Sequence, residues 1–228
     1  MKKLLEVKNL CKDGILHRVS FAVEAGEMVA VMGPSGSGKS TLLYNIAGLD
    51  QPTAGEVWLD GTEIAGLPED EKAALRLHRM GFVFQQMNML SNLNLIDNIL
   101  LPAVQAQKGK GTKSRSKDVL IRDAKNWMKK LSIEELAERD ITQVSGGQLQ
   151  RACICRSMIN APKILFADEP TGALDSKSGA QIMDLFRKLN EEGVTIVMIT
   201  HDEKIAAHAK RTLRIVDGEI LKEKEDAS

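Results

Sequence analysis

The chain has 228 residues, a length that suits one large α/β domain able to carry a small inserted subdomain. Hydrophobic residues make up 43% of it and aromatic residues only 4%, so the core must be built mainly from aliphatic side chains and methionine. The 31 Lys and Arg residues balance 31 Asp and Glu residues, which excludes a global field that would steer the chain to nucleic acid or to an anionic membrane.

Two further features bear on the cellular compartment. No apolar run reaches the roughly 18 residues that span a bilayer, and the N-terminal residues are too charged for a signal peptide. The cysteines are odd in number, and Cys153 and Cys155 lack the spacing of a zinc knuckle or of a thioredoxin-like pair. We therefore expect a cytoplasmic protein in which Cys11, Cys153 and Cys155 are reduced thiols with a packing role.

The N-terminal residues predict a small antiparallel β subdomain. Polar residues alternate with apolar ones in 4–10 and 15–23, and Gly14 lies at the turn between them. The continuous apolar run 28–32 predicts a strand buried on both faces, followed by a helix over 41–48. Residues 56–61 predict a strand that ends at an Asp-Gly turn.

The middle of the chain is predicted to be mostly helical. A helix over 69–79 and a strand over 81–85 precede a helical region at about 88–160. We expect that region to be broken by Pro102 and by residues 108–117, a basic segment without hydrophobic period that we interpret as a mobile, solvated connector.

The C-terminal third predicts a parallel sheet. Apolar strands over 163–168 and 195–200 are separated by a helix over 178–191, and residues 213–221 form a closing hairpin. The prediction is a single α/β domain over 1–228, with a mainly parallel core sheet, an N-terminal antiparallel β subdomain and an inserted α-helical subdomain.

The strongest motif lies between the predicted strand 28–32 and the next helix. Residues 33–40 match Gly-x-x-x-x-Gly-Lys-[Ser/Thr], the loop of P-loop NTPases, in the context that the motif requires. Its backbone N–H groups and the helix N-terminus would bind phosphates, the lysine would reach the β- and γ-phosphates, and the hydroxyl of Ser40 would bind Mg²⁺. The predicted ligand is a nucleoside triphosphate, bound by Gly33, Pro34, Ser35, Gly36, Ser37, Gly38, Lys39, Ser40 and Thr41.

Two carboxylates follow the apolar strand 163–168. Asp168 and Glu169 would stand at the carboxyl end of a central strand, where open α/β sheets bind ligands. Asp168 is predicted to hold Mg²⁺ through coordinated water, and Glu169 to act as general base on the attacking water. The alternative is an acidic pair that only caps a helix N-terminus.

Downstream motifs separate this chain from other P-loop proteins. Val144 is followed by Ser145, Gly146, Gly147 and Gln148, which resembles the Leu-Ser-Gly-Gly-Gln signature of the ATP-binding cassette (ABC) family. The resemblance implies that Gln85 is the Q-loop glutamine and a ligand of Mg²⁺. It also implies that Asp175 belongs to the D-loop and that His201 is the switch histidine. The implied catalytic residues are therefore Glu169, Gln85 and His201.

The two half-sites imply a dimer. Ser145 and the following glycines at a helix start form a second anion site, yet one γ-phosphate cannot lie on 33–40 and on 145–148 of the same subunit. The resemblance implies a head-to-tail homodimer with two ATP molecules between the phosphate loop of one copy and the signature of the other. Hydrolysis would open that dimer.

Residues 49–56, 82–85, 98–102 and 167–177 resemble the ATPases of lipoprotein-release, macrolide-export and bacitracin-type antimicrobial peptide resistance systems. This implies a separate integral-membrane permease, peripheral attachment to the inner face of the cell membrane, and export or detachment of a peptide, drug or lipid-linked substrate. The alternative is a soluble ABC-type ATPase acting on nucleic acid or the ribosome. A P-loop kinase or GTPase would leave the signature unexplained.

The sequence departs from the ABC family pattern where the family binds adenine. The family usually places an aromatic ring upstream of the phosphate loop to stack on adenine, whereas residues 1–20 contain no Phe, Tyr or Trp and 11–13 lie about where the ring belongs. Stacking is worth about 1–3 kcal/mol, so its absence predicts roughly 5- to 150-fold weaker binding or looser base selectivity. His17 is a candidate substitute.

Overall fold

The secondary structure alternates between strands and helices along the chain. The structure, a computed structural model, describes residues 2–108 and 115–221. The strands are β1 (Lys3–Lys12), β2 (Leu16–Glu24), β3 (Met28–Met32), β4 (Ala54–Leu59), β5 (Thr62–Glu63), β6 (Met80–Val83), β7 (Ile164–Asp168), β8 (Thr195–Thr200), β9 (Arg211–Val216) and β10 (Glu219–Leu221). The α-helices are α1 (Lys39–Ile46), α2 (Glu69–Arg79), α3 (Leu95–Ala106), α4 (Lys117–Lys130), α5 (Gly146–Met158), α6 (Ser176–Glu191) and α7 (Glu203–Ala206).

The N-terminal strands form an antiparallel sheet in the order β2-β1-β4-β5. Its inner face is built from buried aliphatic side chains such as Leu5, Val7 and Val57. The predicted Asp-Gly turn joins β4 to β5, with φ of 48° at Asp60 and 80° at Gly61. Positive φ at both central residues is the geometry that favours this dipeptide in tight hairpins, and the predicted antiparallel subdomain is confirmed.

The core sheet has the order β10-β9-β3-β8-β7-β6 and is parallel except for the β9–β10 hairpin. All five residues of β3 and all six of β8 are buried, because helices cover one face and α1 together with the antiparallel sheet covers the other. The neighbouring strands β3, β8 and β7 end at the same edge. The chain segments that leave this edge are the phosphate loop, Thr200-His201 and Asp168-Glu169.

The region between β6 and β7 is helical, as expected, but Pro102 does not break it. Helix α3 continues through Pro102 to Ala106. Proline lacks the N–H that would bond one turn back, but packing of α3 against α4 and α5 offsets that loss. The carbonyl of Pro102 also accepts a 3.2 Å hydrogen bond from Asn160 Nδ2. The expected break at this residue was wrong.

The described residues of the basic segment 108–117 include the start of α4. Ser116 is the N-cap of α4, and its hydroxyl accepts from the backbone N–H of Val119. Arg115 forms a 3.0 Å ion pair with Asp123. Ser116 and Lys117 thus start α4, while residues 109–114 lie outside the described part of the chain, and the mobile, solvated connector stays a prediction.

The cysteines have the predicted packing role. Cys153 and Cys155 are fully buried on α5, and burial raises the pKa of the Cys153 thiol to about 11. Cys11 is half-buried and unpaired in β1. Across residues 2–108 and 115–221, no helix has the length and hydrophobicity needed to cross a bilayer.

Candidate active site

A cavity of about 940 Å³ opens at the carboxyl edge of the core sheet. The phosphate loop forms its floor, and the ends of β7 and β8 supply Asp168, Glu169 and His201 to its wall. Aliphatic side chains from the β1–β2 turn and the C-terminal hairpin line it as well, among them Ile15 and Leu221. The cavity thus joins a polar, charged surface to an apolar one.

The phosphate loop owes its shape to glycine. Gly36 and Gly38 have φ of 80° and 95°, a region that side-chain-bearing residues rarely adopt. Gly33 packs so closely that a Cβ there would lie 2.0 Å from the carbonyl oxygen of Ile215. The ammonium group of Lys39 donates to the carbonyls of Gly33 and Pro34, at 2.8 and 2.7 Å. These contacts hold its positive charge over the loop.

Helix α1 starts where the loop ends. Gly38 occupies its N-cap, and no side chain in the described residues caps the first N–H groups. Ser40 and Thr41 lie in the first turn and line the cavity. The free N–H groups and the positive end of the helix dipole make this a surface suited to an anion.

Asp168 faces the phosphate loop. Asp168 and Ser40 line the same cavity. Burial and the neighbouring charge of Glu169 raise the pKa of this carboxyl, and Ser40 and Lys39 oppose that rise. A positive ion at this point would offset the cost of keeping Asp168 ionised. The hydroxyl of Ser40 and the carboxylate of Asp168 supply the oxygen ligands that Mg²⁺ prefers, so these residues fit the predicted metal.

Glu169 is held by the last residues of β8 and by His201, which follows them. Its backbone has φ of 46°, an uncommon value for a residue with a side chain, and its N–H donates to the carbonyl of Ile199. The carboxylate accepts from the backbone N–H of His201 at 3.0 Å and from the hydroxyl of Thr200 at 3.3 Å. Nδ1 of His201 lies 2.7 Å from the same carboxylate. The predicted base and the predicted switch histidine are therefore in direct contact.

Gln85 lies near the acidic pair but in an adjoining cleft. It follows β6 and lines a space that it shares with Tyr44 and Asp168. A Cβ on Gly172 would lie 3.0 Å from Nε2 of Gln85, so the small residue at 172 leaves room for the glutamine side chain. Gln85 and Asp168 thus line the same cleft, although Gln85 is not among the residues that line the main cavity.

The signature residues lie outside the cavity. Ser145 is the N-cap of α5, where its hydroxyl accepts from the N–H of Gln148 and the amide oxygen of Gln148 accepts from the N–H of Ser145. This capping box fixes the helix start. Ser145 and Gly146 are exposed, and none of the residues 145–148 is among those that line the phosphate-loop cavity.

Asp175 belongs to the same surface as the signature. It caps α6 by accepting from the N–H groups of Lys177 and Ser178, and the Ser178 hydroxyl holds the pKa of this carboxyl below its usual range. Cβ atoms on Gly146 and Gly147 would lie 3.4 Å from Leu174 and Ser178. The signature helix start and the Asp175 turn therefore pack together.

Comparisons with known proteins agree with this arrangement. The family described as "ABC transporter" matches residues 16–172. The chain belongs to the ABC transporter family. The family resemblance predicted from the motifs is thereby confirmed.

Two relatives show the branch of the ABC transporter family. The macrolide export ATP-binding/permease protein MacB of Campylobacter jejuni is 46% identical over 222 residues, which cover 96% of this chain and 34% of MacB. The probable syringafactin export ATP-binding/permease protein SyfD of Pseudomonas syringae is 43% identical over 92% of this chain and 31% of that relative. The chain thus spans about a third of the length of these curated relatives. They are consistent with the predicted macrolide-export branch.

Solved ABC cassettes share the fold. A dimeric, post-hydrolysis ATP-binding cassette bound to ADP and phosphate has a TM-score of 0.87 and 39% identity, covering 98% of this chain and 99% of that one. A dimeric cassette of a bacterial ABC transporter also gives a TM-score of 0.87, with 40% identity. The predicted fold class, an ABC ATPase with a parallel core sheet and an antiparallel β subdomain, is confirmed.

Sequence reasoning missed two residues of this ABC site. Thr200 was predicted only as the last residue of a strand, yet its hydroxyl contacts Glu169; a hydroxyl beside the predicted switch histidine was the available signal. Ile15 was predicted only as the start of a strand, yet it lines the cavity. Conversely, His17 lines a separate cleft beside Arg211, so the structure does not bring it to the phosphate loop.

Proposed function

We propose that this chain is the ATP-binding and ATP-hydrolysing part of an ABC transporter, and that it works as a head-to-tail dimer around two ATP molecules. One observation carries the proposal: Lys39, Asp168, Glu169 and His201 surround one cavity, while the signature residues that would complete the site lie on another surface of the same chain.

The residues of the cavity suit phosphoryl transfer to water. The loop N–H groups and Lys39 bind the phosphates, and Glu169 takes a proton from the attacking water. Its carboxylate is held at the cavity wall by Thr200 and by the backbone N–H of His201. In this proposal Glu169 positions the attacking water, and Lys39 and the loop N–H groups stabilise the charge on the phosphates. No covalent intermediate on the protein is required.

Mg²⁺ is the metal that we propose for this site. Ser40 would ligate it directly, Asp168 would hold it through water, and Gln85 would approach from the adjoining cleft. When bound, Mg²⁺ neutralises charge on the phosphate oxygens. No group of three or more His, Cys, Asp or Glu side chains poised for a metal is present in the described residues, which suits an ion held largely by nucleotide and water.

The proposed dimer joins the phosphate-loop cavity of one copy to the signature surface of the other. In the proposed assembly, Ser145, Gly146, Gly147 and Gln148 of one copy bind the γ-phosphate held by the loop of the other. Asp175, packed beside the signature through Ser178, would lie at the same interface. Two structural relatives are dimeric cassettes, and one holds ADP and phosphate. ATP would thus act as part of the interface, and its hydrolysis would release it.

We propose a membrane permease as the partner of this dimer. The relatives are named ATP-binding/permease proteins, and this chain matches about a third of their length. An apolar groove of about 460 Å³ is lined by Leu49, Phe84 and Leu101, and both leucines are exposed. It adjoins the cleft of Gln85 through Leu49 and Phe84. A permease segment seated there would lie next to a residue of the ATP site.

This partner would place the chain at the inner face of the cell membrane. The proposed task is export or detachment of an antimicrobial peptide, drug or lipid-linked molecule, in line with the macrolide and syringafactin export named for the relatives. That the permease is a separate polypeptide remains a prediction. A soluble ABC-type ATPase acting on nucleic acid or the ribosome is not favoured by these relatives.

The experiment that tests the function compares two variants of the purified chain. Glu169→Gln keeps the shape of the side chain but removes the base, so we expect ATP affinity within about threefold of wild type and hydrolysis reduced at least 100-fold. Lys39→Ala should lose ATP affinity by at least tenfold. Hydrolysis by Glu169→Gln at the normal rate would remove Glu169 from its role, and undiminished affinity of Lys39→Ala would contradict the phosphate loop.

A further inference from the structure

The turn between β1 and β2 is short and reaches the phosphate loop. It contains only Asp13, Gly14 and Ile15, since β1 ends at Lys12 and β2 begins at Leu16. Ile15 is the apolar member of this turn and remains 41% exposed. An exposed isoleucine beside a nucleotide-sized cavity costs free energy that contact with an apolar part of a ligand would recover.

Three segments lock this turn against the phosphate loop. The backbone N–H of His17 donates to the carbonyl of Gly218 at 2.9 Å, and the N–H of Gly218 donates to the carbonyl of Ser37 at 3.2 Å. A Cβ built on Gly38 would lie 3.4 Å from Cγ2 of Ile15. The side chain of Ile15 is therefore held beside the last glycine of the loop.

The surroundings of Ile15 are aliphatic. None of the described residues that line the cavity is Phe, Tyr or Trp, and its apolar side chains include Ile15, Val216 and Leu221. Cys11, at about the position where the family resemblance places an aromatic ring, is not among the residues that line the cavity, and its thiol accepts a hydrogen bond from the N–H of Arg18 within the hairpin. The β1–β2 turn thus offers the cavity one apolar side chain, that of Ile15.

We propose that Ile15 is the base-contacting residue of the nucleotide site and that the site consequently accepts ATP and GTP with similar affinity. The inference rests on the proposed binding of nucleotide to the phosphate loop. With the triphosphate on residues 33–41, the base lies on the flat apolar surface that Ile15 provides. An aliphatic side chain contacts the face of either purine and has no donor or acceptor to read its edge, so it discriminates poorly between them.

Equilibrium binding in EDTA, which prevents hydrolysis, tests this with three probes: ATP, GTP and inorganic tripolyphosphate. The wild-type chain should bind ATP and GTP within about threefold of each other. Ile15→Ala should weaken the binding of ATP and of GTP by about fivefold, because the variant loses roughly half of the aliphatic contact that a bound base would cover. The affinity for tripolyphosphate should stay unchanged. Ile15→Tyr adds a ring at the same point and should strengthen ATP binding by about fivefold or more.

Two control variants separate this effect from general changes. Leu90→Ala removes an aliphatic side chain of similar exposure, 48%, away from the cavity, and Cys11→Ala alters the position where the family resemblance places the ring. Neither should change ATP affinity.

The proposal is overturned if Ile15→Ala binds ATP with normal affinity, or if its affinities for ATP and for tripolyphosphate fall equally. It is also overturned if Cys11→Ala, rather than Ile15→Ala, weakens ATP binding. A wild-type chain that binds neither ATP nor tripolyphosphate would contradict the proposed nucleotide site itself. Normal tripolyphosphate binding with unaffected Ile15 variants would contradict only the role of Ile15.

Discussion

Oε1 of Glu169 lies 2.7 Å from Nδ1 of His201 and also accepts the backbone N–H of that residue. The glutamate side chain is only 16% exposed, whereas the histidine side chain is 71% exposed. One partner is thus fixed in the cavity wall and the other is accessible from solvent. We infer that His201 positions Glu169 and can also reach a ligand that enters the cavity.

Replacing the histidine tests this arrangement. In His201→Ala the backbone N–H contact remains but the imidazole contact is lost, so Glu169 gains freedom. We expect kcat to fall by about 10- to 100-fold while ATP affinity changes less than about threefold. His208→Ala, at an exposed residue outside the cavity, is the control and should hydrolyse ATP normally. Equal rates in the two variants would refute a role for His201.

The close approach at Gly33 gives a second prediction. A Cβ there would meet the Ile215 carbonyl at 2.0 Å and the Ser37 hydroxyl at 2.7 Å, so Gly33→Ala must displace the phosphate loop or β9. We expect ATP affinity to fall at least tenfold and the free energy of unfolding to fall by about 1–3 kcal/mol. Gly61→Ala, at φ of 80° with nothing within 4 Å, should cost only about 1 kcal/mol and leave ATP binding intact.

The ion pairs of Asp60 lead us to expect that the stability of the fold depends on pH. Its carboxylate bonds Lys163 and Lys2, which lower its pKa to about 2 from 3.8, and it also pairs with Arg79 at 3.1 Å. Because the folded pKa is depressed, this stabilisation is complete above about pH 4 and is lost as the pH falls towards 2. The partners are largely exposed, so we expect Asp60→Asn to lower the free energy of unfolding by only about 1–2 kcal/mol at pH 7.

Urea unfolding at a series of pH values measures this effect. The gap between wild type and Asp60→Asn should shrink as the pH falls from 4 towards 2. Asp184→Asn removes an exposed pair with Arg187 and should change stability by less than about 0.5 kcal/mol at any pH. A gap for Asp60→Asn that is the same at pH 7 and at pH 3 would show that ionisation of Asp60 does not stabilise the fold.

The sequence predicted the parts of this molecule that depend on local pattern. The apolar runs that became β3, β7 and β8, and the glycines that became turns, follow from burial and backbone geometry alone. The family signature then gave the fold class. Pro102 was predicted wrongly because its cost in α3 is offset by tertiary packing that no local pattern records.

The site was predictable in its polar half and less so in its apolar half. Lys39 and Asp168 come from motifs whose spacing reflects phosphate chemistry. Ile15 has no such spacing, because its place depends on a three-segment contact through Gly218 and Ser37 that only the folded chain creates. The contact of Thr200 with Glu169 was hidden for the same reason, since Thr200 lies on a neighbouring strand.

In the proposed dimer the signature of one chain acts on the ATP of another, and the mass of three variants in solution measures whether it does. By analytical ultracentrifugation with saturating ATP, Glu169→Gln should be a dimer, and Glu169→Gln with Ser145→Arg should bind ATP normally and remain a monomer. Glu169→Gln with Ser145→Thr keeps the hydroxyl and the helix cap and should still dimerise. The proposed dimer is contradicted if Glu169→Gln stays monomeric in saturating ATP, or if the Ser145→Arg double variant loses ATP affinity as a monomer.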